Sequence, residues 1–225
     1  MTEPWLGGKK RNALTFSILN TKYWTTYDPL TGQYDPSVAD TRYISTTGST
    51  ISLAKQLKWP DDYFSLSMGI NYTRYKLSNY AIDPTNLPGF ENGVVNNLNF
   101  RIALQRSSVD QPLFPRSGST FLLSLQVTPP YSLFDKGIKT SDNPYKFIEY
   151  HKWRFNGEWY VPLGKPTGEE RNKQFVLKAS AKYGFLGRFN PELKISPFER
   201  FQVGDAGLSN QFALLGYDII AHRGY

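Results

Sequence analysis

The sequence predicts an all-β chain: an antiparallel, up-and-down transmembrane β-barrel wall with long extracellular loops. Three observations carry that prediction. Apolar and polar residues alternate with period two in about seven separate segments. The connections between those segments alternate between long and short. Aromatic residues, 16% of the 225 residues, gather toward segment ends, and aromatic side chains favour strands.

The segments follow in chain order. Leu14, Phe16 and Ile18 alternate with Thr15 and Ser17. Ile51, Leu53, Leu57 and Trp59 alternate with Ser52, Ala54 and Gln56, with Lys55 interrupting the apolar side. The clearest run sets Phe64, Leu66, Met68, Ile70 and Tyr72 against Ser65, Ser67, Gly69, Asn71 and Thr73. Leu98, Phe100, Ile102 and Leu104 oppose Asn97, Asn99, Arg101, Ala103 and Gln105. Phe121, Leu123, Leu125 and Val127 oppose Thr120, Ser124 and Gln126, with Leu122 out of phase. Trp153, Phe155, Trp159, Val161 and Leu163 oppose Lys152, Arg154, Asn156 and Glu158. Last, Phe175, Leu177, Ala179, Ala181, Tyr183 and Phe185 oppose Lys178, Ser180, Lys182 and Gly184. The expected strands are about 11–20, 49–59, 63–76, 96–106, 118–128, 150–163 and 174–186, with no convincing helix.

Arg101, Lys152, Arg154, Glu158, Lys178 and Lys182 share the polar face, which must be wet. It is either the outside of a soluble sheet or the interior of a membrane barrel, and periodicity fits both. Connection lengths and aromatics choose. The links 20–48, 77–96, 129–149 and the tail 187–225 are long; Pro60-Asp61-Asp62, 107–118 and 164–173 are shorter. Short turns at one end and long loops at the other mark an outer-membrane barrel, and a soluble domain rarely needs loops of such length. Trp59, Tyr63 and Phe64 flank the tight turn, Tyr72, Tyr75 and Tyr80 sit toward the other end, and Tyr150, Trp153, Trp159 and Tyr160 mark both ends of another strand. Such rings fit interfacial girdles. A soluble β-sandwich that binds a carbohydrate or a surface partner is the alternative from another class, with the same rings in its core.

Other classes find little support. The mean hydropathy is −0.46, and no apolar run approaches the roughly 20 residues of a spanning helix; spanning strands escape such averages. Met1 to Arg11 contain no apolar core of a signal peptide. There are no cysteines and two histidines, His151 and His222, which excludes thiolate and His-rich metal sites. No phosphate-binding or dinucleotide fingerprint and no Ser/His/Asp set is present, so neither an enzyme nor a cofactor is expected. Asp61-Asp62 after Pro60 reads as a turn. Lys9-Lys10-Arg11 reads as a solvated rim that could touch anionic head groups. The net charge of +7 is spread over strands and loops without clustered stacking aromatics, which disfavours nucleic acid.

Four stretches carry a family resemblance. Thr2-Glu3-Pro4-Trp5-Leu6-Gly7-Gly8 resembles the "TEP" element that leads into a barrel strand of the Omp85 superfamily. Leu57 to Phe64 resembles a short periplasmic hairpin of Bacteroidetes-type members. Asp110-Gln111-Pro112-Leu113-Phe114-Pro115-Arg116-Ser117-Gly118 is similar to the family's "D-x-x-x-F-P-x-x-G" turn. Phe198 to Asp205, followed by Arg223-Gly224-Tyr225, resembles the large sixth extracellular loop and its closing "RG(F/Y)". Gly204-Asp205 stands where the family usually has Gly-Gly, and Tyr225 replaces the commoner Phe.

The resemblance implies a barrel of about sixteen strands behind periplasmic POTRA domains. The chain would hold roughly its fifth to eleventh strands and the sixth loop (187–225), without POTRA domains or gate strands, and so be a fragment inactive alone. The implied function is folding and inserting β-barrel proteins into the outer membrane of a Gram-negative, Bacteroidetes-like bacterium through a lateral gate, with no bond made or broken. Implied partners are outer-membrane lipids, unfolded β-barrel substrates and accessory assembly lipoproteins. A TamA-like or two-partner secretion barrel is the alternative within the superfamily. The resemblance gives the site roles too. Arg223 reaches an acidic residue of the inner wall through a planar, bidentate fork, on a later strand than this chain contains. Gly224 allows the tight path beside it, and Tyr225 packs on the wall. Phe201, Gly204 and Asp205 support the loop. Phe114, Pro115 and Gly118 form a structural turn: proline presets φ and glycine accepts positive φ.

Overall fold

The structure, a computed structural model, describes residues 2–3, 12–27, 33–38, 40–80, 91–134, 145–167, 173–193, 195–204 and 215–221. Ten strands form. In chain order they are β1 (Thr2–Glu3), β2 (Asn12–Trp24), β3 (Tyr43–Gln56), β4 (Phe64–Ser78), β5 (Gly93–Ser107), β6 (Gly118–Val127), β7 (His151–Thr167), β8 (Lys173–Gly187), β9 (Phe201–Gly204) and β10 (Asp218–Ala221). A 3-10 turn (Pro36–Val38) and the four-residue helix α1 (Tyr131–Phe134) are the only helical elements among the described residues.

Strands β1 to β8 form one sheet in sequential order, every pair antiparallel. The sheet is an open wall, not a closed barrel. Its connections alternate: 25–42, 79–92 and 128–150 at one end are long, and 57–63, 108–117 and 168–172 at the other are shorter.

The register makes each face continuous. On one face Leu14, Leu53, Met68, Ile102, Leu125, Trp153 and Phe185 lie side by side across seven strands. The next row holds Phe16, Ile51, Ile70, Phe100 and Val127. These side chains are not covered by a second layer: Ile18, Ile51, Ile70, Val161 and Leu177 are each at least half exposed. A soluble sandwich buries such a face, so the sandwich alternative fails here. From Phe64 to Tyr72 the outward side of β4 is unbroken apolar, about the length a tilted strand needs to cross hydrocarbon.

Three expectations change. The strands outrun their apolar alternation. The first long strand reaches Trp24 rather than about 20. The next starts at Tyr43 in a Ser/Thr-rich stretch and stops at Gln56, leaving Trp59 in the turn, and β7 runs on to Thr167. Beyond the apolar belt, ladder hydrogen bonds suffice and water can face both sides, so the hydrophobic signal fades before the strand does. The rings expected to form one girdle divide as well. Tyr72, Trp153 and Trp159 point outward, whereas Tyr75, Tyr80 and Tyr150 are buried on the other face. Nearness to a strand end gives a ring's height but not its side; the odd step from Tyr72 to Tyr75 sends Tyr75 to the other face. Finally, the polar face is not wet throughout. At the long-connection end it is covered, and Lys152 on it is 4% exposed.

What covers it is the chain's own C-terminal region together with the end of the connection before β7. Ile44, Tyr75, Leu77 and Val95 of the wall meet Tyr145, Ile148, Tyr150, Phe198 and Leu215 in one buried cluster. This is the core of the described molecule, and it lies at one end of one face.

Candidate functional site

The covering segment is shaped locally before it is packed. The Ser196 hydroxyl accepts the Phe198 amide at 3.0 Å. The Arg200 guanidinium donates back to the carbonyls of Ser196 (2.9 Å) and Ile195 (3.3 Å). These bonds close residues 195–200 into a turn that points Phe198 at the wall, where its ring stacks on Tyr75 with centroids 4.4 Å apart. Glu199, at φ 61°, turns the other way. Its amide donates to the Leu215 carbonyl, the Asp218 amide donates to the Arg200 carbonyl, and the two pieces continue as the parallel pair β9 and β10. Gly216 has φ 76°, and a Cβ there would stand 2.6 Å from the Glu199 carboxyl, so only glycine fits.

This arrangement brings two loop carboxyls onto a basic wall. The Asp218 carboxylate accepts from Lys152 Nζ at 2.7 Å and from Arg154 Nη1 at 3.2 Å. Glu199 Oε1 accepts from Asn97 Nδ2 at 2.9 Å, and its other oxygen lies 3.8 Å from Lys152 Nζ. Asn97 is fixed in turn by Asn99 (3.2 Å) and by the Tyr150 hydroxyl (3.3 Å), which Gln126 also reaches. Strands β5, β6 and β7 thus each contribute. Burial, with Asp218 alongside, pushes the Glu199 carboxyl up to about 7, although Lys152 opposes the shift. Lys152 also lies 4.9 Å from the centroid of the Phe201 ring, and that ring occupies the space a side chain on Gly184 would need.

Beneath the docked segment the polar face is open. A cavity of about 210 Å³ is lined by Arg101, Ser124, Lys152, Arg154, Glu199 and Asp218 among others. It adjoins a second of about 340 Å³ that shares Asn71, Arg101 and Gln126. Among the described residues no three His, Cys, Asp or Glu side chains gather as metal ligands. The chemistry available is charge pairing and hydrogen bonding: the site can hold a chain segment against a wall.

The sequence-predicted site residues fare unequally. Phe201 sits in the docked segment, and Gly204 ends β9. Asp205, Arg223, Gly224 and Tyr225 lie outside the described residues, as do His222 and the Lys9-Lys10-Arg11 cluster. Phe114, Pro115 and Gly118 form a turn at the short-connection end, far along the strands from the loop. Phe114 has φ 53° and is 89% exposed. Gly118 has φ 102°, and any Cβ would collide with the Ser108 carbonyl. Asp110 closes the turn by accepting the amides of Arg116 (2.9 Å) and Ser117 (3.2 Å), bonds that hold its carboxyl below the usual range. Sequence reasoning placed Lys152 and Arg154 on the polar face but missed Asp218 and the role of Glu199. Asp218, two residues after Gly216 and leading the apolar pair Ile219-Ile220, was the available signal.

An Omp85 superfamily domain model matches residues 1–210 of the sequence. The chain belongs to the Omp85 superfamily. No curated protein matches it in sequence. Among solved structures, this Omp85 chain is similar to the crystal structure of BamA from Haemophilus ducreyi lacking POTRA domains 1-3. The TM-score is 0.58 and the identity 19%, over 92% of this chain and 35% of that one. The likeness is one of fold, and the Omp85 chain described here spans about a third of that barrel protein's length.

Proposed function

We propose that the chain is the central wall of an outer-membrane assembly barrel, roughly its fifth to eleventh strands, with 187–225 as the sixth extracellular loop. One observation carries this reading: a wall whose outward face is an uncovered apolar belt holds a loop segment on its polar face through buried charge pairs. Bare apolar rows suit hydrocarbon, and a docked loop gives the interior a fixed partner. In this reading the parent protein folds and inserts β-barrel proteins, using lipids and accessory assembly lipoproteins as partners. A nascent substrate strand pairs with an exposed sheet edge at a lateral gate, gaining main-chain hydrogen bonds as strand addition does. The process needs binding and release rather than bond chemistry, so no enzyme activity is assigned.

Arg223, Gly224 and Tyr225 complete the loop by a contact of opposite polarity to that of Asp218, an arginine from the loop meeting an acid of the wall. Phe201, Gly204 and Asp205 support it, and Phe114, Pro115 and Gly118 serve only as a turn.

The test deletes 195–221 from the intact parent protein in vesicles and follows insertion of an unfolded β-barrel substrate by its gain of protease resistance. The insertion rate should fall at least about tenfold, the loss of one well-placed interaction network. An unchanged rate overturns the proposal. The absence of cysteines permits a companion measurement. Cysteine at Leu123 should react with a lipid-soluble maleimide, and cysteine at Ser124, on the opposite face, only with a water-soluble one.

A further inference from the structure

The outward face changes character at one level. The last apolar row toward the long connections is Ile18, Ser49, Tyr72 and Leu98. The next outward row is Asn20, Thr47, Arg74 and Asn96, and the one after it is Lys22, Ser45, Lys76 and Val94. Trp24 and Tyr43 cap the face. Lys22, Arg74 and Lys76 therefore emerge just above the apolar belt, on the same side of the sheet.

All three are exposed. Among the described residues none of them makes an ion pair; the charge pairs that exist lie elsewhere. Rows repeat about every 6.6 Å along a strand and strands lie about 4.8 Å apart, so at the backbone Lys76 stands about 7 Å from Arg74 and about 10 Å from Lys22, with Lys22 and Arg74 about 12 Å apart. Arg74 and Lys76 lie within the roughly 8 Å screening length of physiological salt and repel; Lys22 adds a third positive charge just beyond it. The Lys22 ammonium is steadied 4.0 Å above the Tyr43 ring and 5.1 Å from that of Trp24. The opposite rim differs. There the outward cations are Lys55 and Arg106, and Arg106 is bonded to Asp61 at 3.0 Å. Among the described residues, unpaired outward cations are concentrated on the long-loop side, against the edge of the apolar belt.

We propose that Lys22, Arg74 and Lys76 form a docking patch for the phosphorylated head groups of lipids in the leaflet on the long-loop side. The occupant follows from position and charge together. A surface continuous with a lipid-facing belt meets head groups before any soluble ligand, and three cations without acids match phosphate esters. The patch rests on the reading of the outward face as lipid-facing. Its function would be to set the depth of this side of the barrel and to gather a shell of phosphorylated lipid around it.

The test uses the intact parent protein in vesicles of phosphatidylcholine with and without a bis-phosphorylated glycolipid. Brominated acyl chains that quench Trp153 and Trp159 report whether the outward face meets lipid. Co-isolated glycolipid reports the patch. The triple variant Lys22→Gln, Arg74→Gln, Lys76→Gln should retain at least about tenfold less glycolipid than the parent chain, with quenching unchanged. Lys55→Gln, a charge removed at the other rim, should retain as much as the parent. Equal retention by the triple variant, or an equal fall in Lys55→Gln, overturns the patch while leaving the lipid-facing wall intact. Absence of quenching in the parent chain overturns the lipid-facing reading and the patch with it.

Discussion

The two ends of the sheet are held together by different means. At the short-turn end the links join turn residues to the strand ends beside them and are partly exposed. Asp110 closes its own turn, and Arg106 bridges to Asp61 and to the hydroxyls of Ser108 and Ser119. At the long-loop end the links are distant in sequence and buried. Phe198 stacks on Tyr75, Glu199 reaches Asn97, and Asp218 reaches Lys152. An exposed charge pair contributes little, whereas breaking a buried one leaves an unpaired charge out of water. The turn end should therefore tolerate change, and the loop-docking end should not.

Phe198→Ala is the largest expected break in that contrast. Its ring is 1% exposed and fills the contact with the wall, so truncation leaves a cavity and should cost about 3–5 kcal/mol. The control is Phe114→Ala at the turn, 89% exposed, which should stay within about 0.5 kcal/mol. Thermal unfolding in detergent micelles compares the two; equal shifts would remove the distinction between the ends. Next comes Lys152→Met, which strips Asp218 of its nearest cation and should cost about 3 kcal/mol. Protease cleavage within 195–221 reads the loss of docking directly.

Legibility in the sequence divides along the same line. The outward rows were readable because every second residue from Phe64 to Tyr72, or from Leu98 to Leu104, obeys one rule that local chain geometry enforces. The Phe114–Gly118 turn was readable for the same reason: proline and glycine advertise their own φ angles. The docked segment was not. Nothing near Asp218 in the chain marks it as the partner of Lys152, and although alternation puts Tyr75 on the polar face, nothing near it names Phe198 as the ring it receives. Both depend on which residues the folded wall brings opposite; the family resemblance implied a loop docked on the inner wall, but through Arg223 and Tyr225 rather than Phe198, Glu199 or Asp218.

A pH titration probes the buried end with a smaller effect. Glu199 faces Asn97, Gln126 and Arg101 of the wall, Lys152 beside it, and Asp218 of its own segment. Its docked carboxyl titrates at about 7, above its ordinary value of 4.5. The docked form binds the proton more tightly than the free form, so docking is strongest below pH 4.5. It should weaken as pH rises toward 7, by at least about tenfold in the docking equilibrium, and then level off. Glu199→Gln keeps the acceptor for Asn97 and removes the titration. Protease protection of 195–221 should then be flat across that window. A slope that survives the substitution would assign the dependence to another group.

The smallest effect belongs to Lys178→Gln. Its partner Glu158 is 2.9 Å away on the same polar face, in the rows nearest the short turns, and the lysine side chain is half exposed. It resembles Lys152–Asp218 in distance, charge and exposure of the acid, and differs in that its lysine is exposed and both partners belong to the wall. Water and salt screen it, so its removal should cost less than about 1 kcal/mol and less still in high salt. The comparison isolates what covering by the loop adds. Should Lys178→Gln destabilise the chain as much as Lys152→Met, ion pairing rather than burial would be holding the wall, and the docked segment would lose its special standing.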